Sequence, residues 1–290
     1  DVSPVRELLV PDYTTTFVEV RRQARPVAGG ANAAKRLGVV SLDGREIVWC
    51  GDGVRRDQYI VDVSWRPGGA ELLALIEPRD LKSLHYCLAD AATGAVDTLF
   101  TERDPAWVNV DNRALRWNDD GGVLWFTAER PAWNHIYRYD METRETRAVT
   151  SGSWEVTAFH GIDDDGAAWY TATALEPEQR HLYRTTPDGR TARVTPGEGW
   201  YDSHPSPDFE RVVVRYDNPL APRDLYQLAS TRGEPAAGPA PMKGGGGGGG
   251  APMTAAESAP FAARAWPLPD GLVRITDSRP EDLAGFAIPV

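Results

Sequence analysis

Only two cysteines and three methionines occur in 290 residues. Cys50 and Cys87 each fall in a strand-like run ("REIVWC" and "LHYCLAD"), and neither belongs to a C-x-x-C pair. A disulfide framework is excluded; two buried free thiols are the expected state, and nothing in the spacing supports a single bridge. A zinc site needs further Cys or His at short spacing, and none is present. Basic charge is also short, with 31 Lys and Arg against 42 Asp and Glu, a net charge of -11. That average field repels a phosphate backbone, and no dense Lys/Arg stripe overrules it, so nucleic acid is not an expected partner. No apolar run approaches the roughly 18 residues of a bilayer-spanning segment, so a membrane is not expected either.

Chemical motifs are equally sparse. There is no G-x-S-x-G elbow, no H-E-x-x-H, no adjacent Glu-Glu pair and no dinucleotide glycine pattern. Lys243 precedes a run of seven glycines with no Ser or Thr in place, which excludes a phosphate-binding loop. Asp202, Ser203 and His204 are consecutive, but neighbours on a strand point to opposite faces, so they cannot form a triad by themselves. The "DDDG" of Asp163 to Gly166 resembles half a calcium loop. The preceding unit has "NDDGG" at the same place, which makes a hairpin turn the better account. No metal, no cofactor and no catalytic residue is therefore expected in this chain.

What the chain does contain is repetition. Ten Trp and ten Tyr favour a pleated surface, while 28 Gly and 23 Pro imply many turns. The stretch "HIYRYDMETRETRAVTSGSWEV" (135 to 156) recurs in outline as "LHYCLADAATGAVDTLFTER" and "HLYRTTPDGRTARVTPG". Tyr86, Tyr137, Tyr183 and Tyr226 close the third strand of four successive units, at intervals of 43 to 51 residues. Gly68-Gly69, Asp120-Gly121, Asp165-Gly166 and Pro207-Asp208 turn the chain after each first strand; Gly94, Gly189 and Gly233 turn it after the third. Four strands per unit at this period predict an all-β fold, a partial β-propeller of four-stranded antiparallel blades. "LGVVSLDGREIVWC" (37 to 50) fits the outer half of an earlier unit, giving about four and a half blades. Trp154, Trp65 and Trp117 are expected to pack blade against blade, and His135 and His181, at matching places, to be structural.

An open set of blades leaves apolar faces and strand edges unpaired, so a larger ring beginning before Asp1 is expected. The first residues, "DVSPVRELLV", have no initiator Met and no leader pattern. The compartment stays open between cytoplasm and a periplasmic or secreted location. The organisation expected is a propeller over 1–233, a Gly/Pro/Ala-rich flexible linker over 234–260, and a short strand segment over 261–290 with strands near 272–276 and 283–288.

"VPDYTTTFVEVRRQARPVAGGANAAKRLGVVSLDG" (10 to 44), with Gly29, Gly30 and Asn32, resembles the propeller of dipeptidyl peptidase IV-like proteases of the prolyl oligopeptidase class. "YIVDVSW" (59 to 65), "AWVNV" (106 to 110), "AWNHIYRYD" (132 to 140) and "VTSGSWEV" (149 to 156) are similar to that family in order and spacing. The resemblance covers residues 10 to 233. It implies an eight-bladed propeller capping an α/β-hydrolase domain of the same protein, with peptides as substrate and a homodimer compatible with the class. It also implies that the paired glutamates and the catalytic serine, aspartate and histidine lie outside this chain. "LVRITDSRPEDLAGFAIPV" resembles the junction to the hydrolase domain. His204 and Pro205 lie on a strand that in the family faces the substrate cavity, which makes them the candidate pocket residues. A non-enzymatic, TolB-like propeller binding a protein or peptide is the alternative, and an inactive relative of the protease is a third reading.

Overall fold

Runs such as "ELLALIEP" and "SLHYCLAD" carry apolar side chains on both faces, as strands covered on two sides require. Runs such as "HIYRYD" mix buried and half-buried positions. Short turns rich in Asp, Gly and Pro separate them, and the chain has no means of continuing except by folding back on itself. The computed structural model describes residues 1–14, 16–55, 57–110, 114–130, 132–218, 221–228, 231, 234–235 and 269–275. Gly233, the glycine run and the strand expected near 283–288 lie outside these.

Two hairpins come first, β1 (Glu7–Asp12) with β2 (Glu19–Ala24), and β3 (Lys35–Val40) with β4 (Ile47–Arg55). The next sheet has strands β5 (Gln58–Trp65), β6 (Glu71–Pro78), β7 (Ser83–Asp90) and β8 (Val96–Arg103), hydrogen-bonded in chain order. Strands β9 (Leu115–Trp117), β10 (Val123–Ala128), β11 (His135–Asp140) and β12 (Thr146–Ala148) repeat that arrangement. The third repeat is β13 (Val156–Ile162), β14 (Ala168–Ala172), β15 (His181–Thr185) and β16 (Thr191–Arg193). The fourth is β17 (Trp200–Pro205), β18 (Val212–Asn218) and β19 (Ala221–Leu228).

The third and fourth repeats take strands from later in the chain. β20 (Glu234–Pro235) pairs antiparallel with β16, and β21 (Leu272–Arg274) pairs antiparallel with β19 and is the outer strand of the last sheet. The fold is thus all-β, with consecutive four-stranded antiparallel blades of a partial propeller and the β3–β4 hairpin as a half blade ahead of them.

The chain divides into two compact units. The first holds Asp1–Asp111, Trp117–Leu124 and Asp140–Arg144; the second holds Asn112–Arg116, Trp125–Tyr139 and Glu145–Val290. In the first unit, Leu72, Leu73, Leu75, Leu84 and Tyr86 are buried, and the Tyr86 ring stacks on Phe100 at 4.1 Å. The β3–β4 hairpin is tied to the next blade where the Gly51 amide donates to the Gly94 carbonyl, 2.9 Å. In the second unit, Trp169, Leu182, Val194, Tyr201, Val212, Val214, Tyr216, Tyr226 and Leu228 form one core, with Phe209 stacked on Trp169 at 5.2 Å.

The two structural histidines repeat one device. His135 Nδ1 lies 3.1 Å from Thr150 Oγ1, and His181 Nδ1 lies 2.9 Å from Thr195 Oγ1. Each threonine hydroxyl also accepts the next backbone amide, from Ile136 at 2.9 Å and Leu182 at 3.1 Å. Trp154 packs as expected between neighbouring blades, edge-on to His135 at 4.7 Å and stacked with Tyr170 at 6.1 Å. Trp117 sits under the Arg66 guanidinium of the preceding blade, 5.9 Å away. Trp65 departs from the expectation: it is 49% exposed, because it ends β5 on the side that the alternation turns away from the core.

Candidate functional site

β17 alternates cleanly. Tyr201 and Ser203 are buried, while Asp202 is half-buried and His204 exposed on the other face. Period-two alternation therefore separates the three consecutive residues as expected: Ser203 turns its hydroxyl into the buried face, where it has no hydrogen-bond partner. Asp202 and His204 share the open face, with His204 Nε2 3.6 Å from Asp202 Oδ1. Pro205 ends the strand and is half-buried.

Register brings a cation to the same carboxylate. Asp202 stands directly opposite Arg215 of β18, and the guanidinium lies 3.5 Å from Asp202 Oδ2. Both contacts are longer than the 2.7–2.9 Å typical of a charge-assisted hydrogen bond. The carboxylate is shared between a guanidinium and an imidazole and tightly held by neither.

The preceding blade adds His160. The pairing of β13 with β14 slips between Phe159 and Gly161, so His160 is the extra residue of a β-bulge. A bulge bends its strand and re-aims a side chain that regular alternation would place elsewhere. Gly161 permits it: its φ of 141° is open to glycine, and a Cβ there would press within 3.2 Å of the Phe209 ring. The imidazole is pinned by Thr171, whose Oγ1 lies 2.8 Å from Nε2. Burial pushes its pKa down to about 4, the positive charges of His204 and Arg116 push the same way, and Asp202 opposes them. His160 is consequently a neutral imidazole at physiological pH.

Arg116, exposed on β9, completes the group. Its guanidinium donates to the carbonyl of Leu115, 2.8 Å, and makes no ion pair among the described residues. Three successive first strands, β9, β13 and β17, thus contribute Arg116, His160, and Asp202 with His204, with Arg215 reaching in from β18. No group of three or more metal-ligating side chains occurs among the described residues.

Sequence reasoning singled out His204 and Pro205, weighed Asp202 only as part of a triad that it set aside, and passed over His160, Arg116 and Arg215. His160 carried one readable signal, the Gly161 that follows it inside a strand pattern, where an interior glycine marks a bulge. Arg116 and Arg215 carried none, because a lone arginine on a strand reads as a solvated position.

The repeated four-stranded blades and a polar, titratable face on their first strands define a β-propeller. The chain belongs to the family described as the dipeptidyl peptidase IV (DPP IV) N-terminal region, whose model matches residues 1–223. A relative named a probable dipeptidyl-aminopeptidase B, from Emericella nidulans, is 26% identical over 237 residues, covering 75% of this chain and 26% of its own length. Two solved structures share the fold at a TM-score of 0.70. Dipeptidyl peptidase 4 of Porphyromonas gingivalis matches at 22% identity over 78% of this chain and 32% of that one. A putative dipeptidyl aminopeptidase IV of Bacteroides ovatus matches at 20% identity over 80% of this chain and 36% of that one. The chain spans between a quarter and about a third of the length of these relatives.

Proposed function

We propose that this chain is the propeller segment of a dipeptidyl peptidase IV-like serine exopeptidase, where it caps the active site of an α/β-hydrolase domain and gates peptides by size. The observation that carries the reading is the family match over 1–223. His204 and Pro205 are the proposed pocket-lining residues, and the open face of β17 on which His204 stands supports that assignment. On this reading the chain by itself performs no hydrolysis, since acyl transfer needs an activated nucleophile beside its base, and Ser203 is turned away from His204.

Two measurements test this. The purified 290-residue chain should release no p-nitroaniline from Ala-Pro-p-nitroanilide. Release that survives repurification and serine-hydrolase inhibitors would overturn the reading. An antibody against the chain should detect a native product much longer than 290 residues that cleaves the same substrate. A native product of about this length, without cleavage, would instead indicate a non-enzymatic propeller that binds a protein or peptide.

A further inference from the structure

Among the charged side chains of β9, β17 and β18 that act on His160 or on one another, guanidinium groups outnumber carboxylates in a chain whose overall charge is -11. Arg116 and Arg215 are permanently charged, Asp202 offsets one of them, and His204 and His160 add two imidazoles. Local potential of the opposite sign to the molecule singles out a region where an anion gains by arriving. Arg116 has no acidic partner among the described residues, and Arg215 meets Asp202 only at 3.5 Å, so both guanidinium groups keep planar N–H donors to offer. The strand geometry adds a third group: His160 is the extra residue of the β-bulge, it feels the charges of His204, Asp202 and Arg116, and Thr171 holds its ring through Nε2, which leaves Nδ1 to meet a ligand.

We propose that His204 and Arg215, which flank Asp202, together with His160 and Arg116 of the two preceding blades, bind a carboxylate of a peptide. The inference deepens the exopeptidase reading and rests on it for the word peptide; the carboxylate chemistry stands on the side chains alone. A planar carboxylate accepts two N–H bonds from a guanidinium at once, and a neutral imidazole donates a third. Asp202 competes with the incoming group for the same donors and keeps the site from closing on itself when empty. An anion seated beside His160 also reverses the electrostatic bias there, so its imidazole becomes more basic when the site is filled.

Proton NMR of the protein's five histidines reads this directly. Three probes separate the sources of the carboxylate. Ala-Pro-Glu amide carries only a side-chain carboxylate, Ala-Pro-Gln free acid only a terminal one, and Ala-Pro-Gln amide neither. At least one of the first two should shift the His160 and His204 resonances saturably and raise the apparent pKa of His160, and the third should do neither. Arg116→Gln, at an exposed position of β9, should weaken binding about tenfold, the loss of one charge-assisted contact of roughly 1.4 kcal/mol. Asp202→Asn should tighten it several-fold. No saturable shift, equal binding of the amide probe, or indifference to both substitutions would overturn the proposal. Binding by the chain, while the native product found with the antibody leaves Ala-Pro-p-nitroanilide intact, would sink the exopeptidase reading alone; cleavage by that native product without any carboxylate-dependent shift in the chain would sink this one alone.

Discussion

At the scale of single residues, His135 and His181 carry the clearest chemistry of the scaffold. Both are fully buried, and burial lowers the pKa of each, that of His181 to about 3 from the ordinary 6.5. Between those two values the unfolded chain binds a proton that folded His181 refuses. Stability contributed by the neutral ring is therefore complete above pH about 6.5 and drains away as pH falls towards 3. Denaturation midpoints measured from pH 7 to pH 4 should fall steadily, and His181→Asn should fall less steeply than the parent while starting lower. Thr195→Val removes the hydroxyl that serves both the ring and the Leu182 amide, leaving two buried groups short of a partner. A loss of about 1–3 kcal/mol is expected in urea titration. These histidines were legible in sequence because the same letter recurs at the same place in two units. His160 was not, since nothing in an alternating pattern announces which residue is the extra one.

Among the elements, the turns and bulges set where side chains go. Gly161→Ala forces a Cβ onto a backbone of φ 141° and against Phe209, so β13 must straighten or shift. About 1–3 kcal/mol of stability should be lost, and the His160 resonance should move even without ligand, a sign that the ring has left its place beside Thr171. Gly94→Ala meets a harder wall. Its φ is 72°, and the added carbon would sit 2.2 Å from the Trp49 carbonyl oxygen. The Gly51–Gly94 hydrogen bond should break, with faster amide exchange at Gly51 and across β3–β4 than in β5 to β8. Turn glycines of this kind were readable ahead of the structure, because positive φ has few other occupants. The fourth repeat shows the limit of that rule: Phe209 holds φ 57° at the turn after β17, repaid by stacking on Trp169. Only the fold can show such a trade.

On the scale of the whole chain, the number of blades was legible and their completion was not. Four tyrosines marked four third strands, and hydrophobic alternation marked most of their neighbours. The strand near 272–276 was legible, but its place as the outer strand of the last blade was not, because Leu272–Arg274 is separated in sequence from β19 by the glycine run and its flanks. Periodicity detects what is adjacent along the chain, whereas a sheet is completed by what is adjacent in space.

That pairing of β19 with β21 makes the last blade a clasp, fastened by two pieces of chain that need only their ends to meet. The entropy cost of bringing two ends together grows with the logarithm of the span, about 0.6 kcal/mol for each doubling. The span can therefore lengthen greatly before the clasp is strained. Adding a Gly-Ser stretch as long as the existing span after Lys243 should change unfolding free energy by less than about 1 kcal/mol, as read by urea titration. The same arithmetic makes this position a docking port for cargo: a reporter domain or an affinity peptide inserted there would ride on the propeller without loosening it.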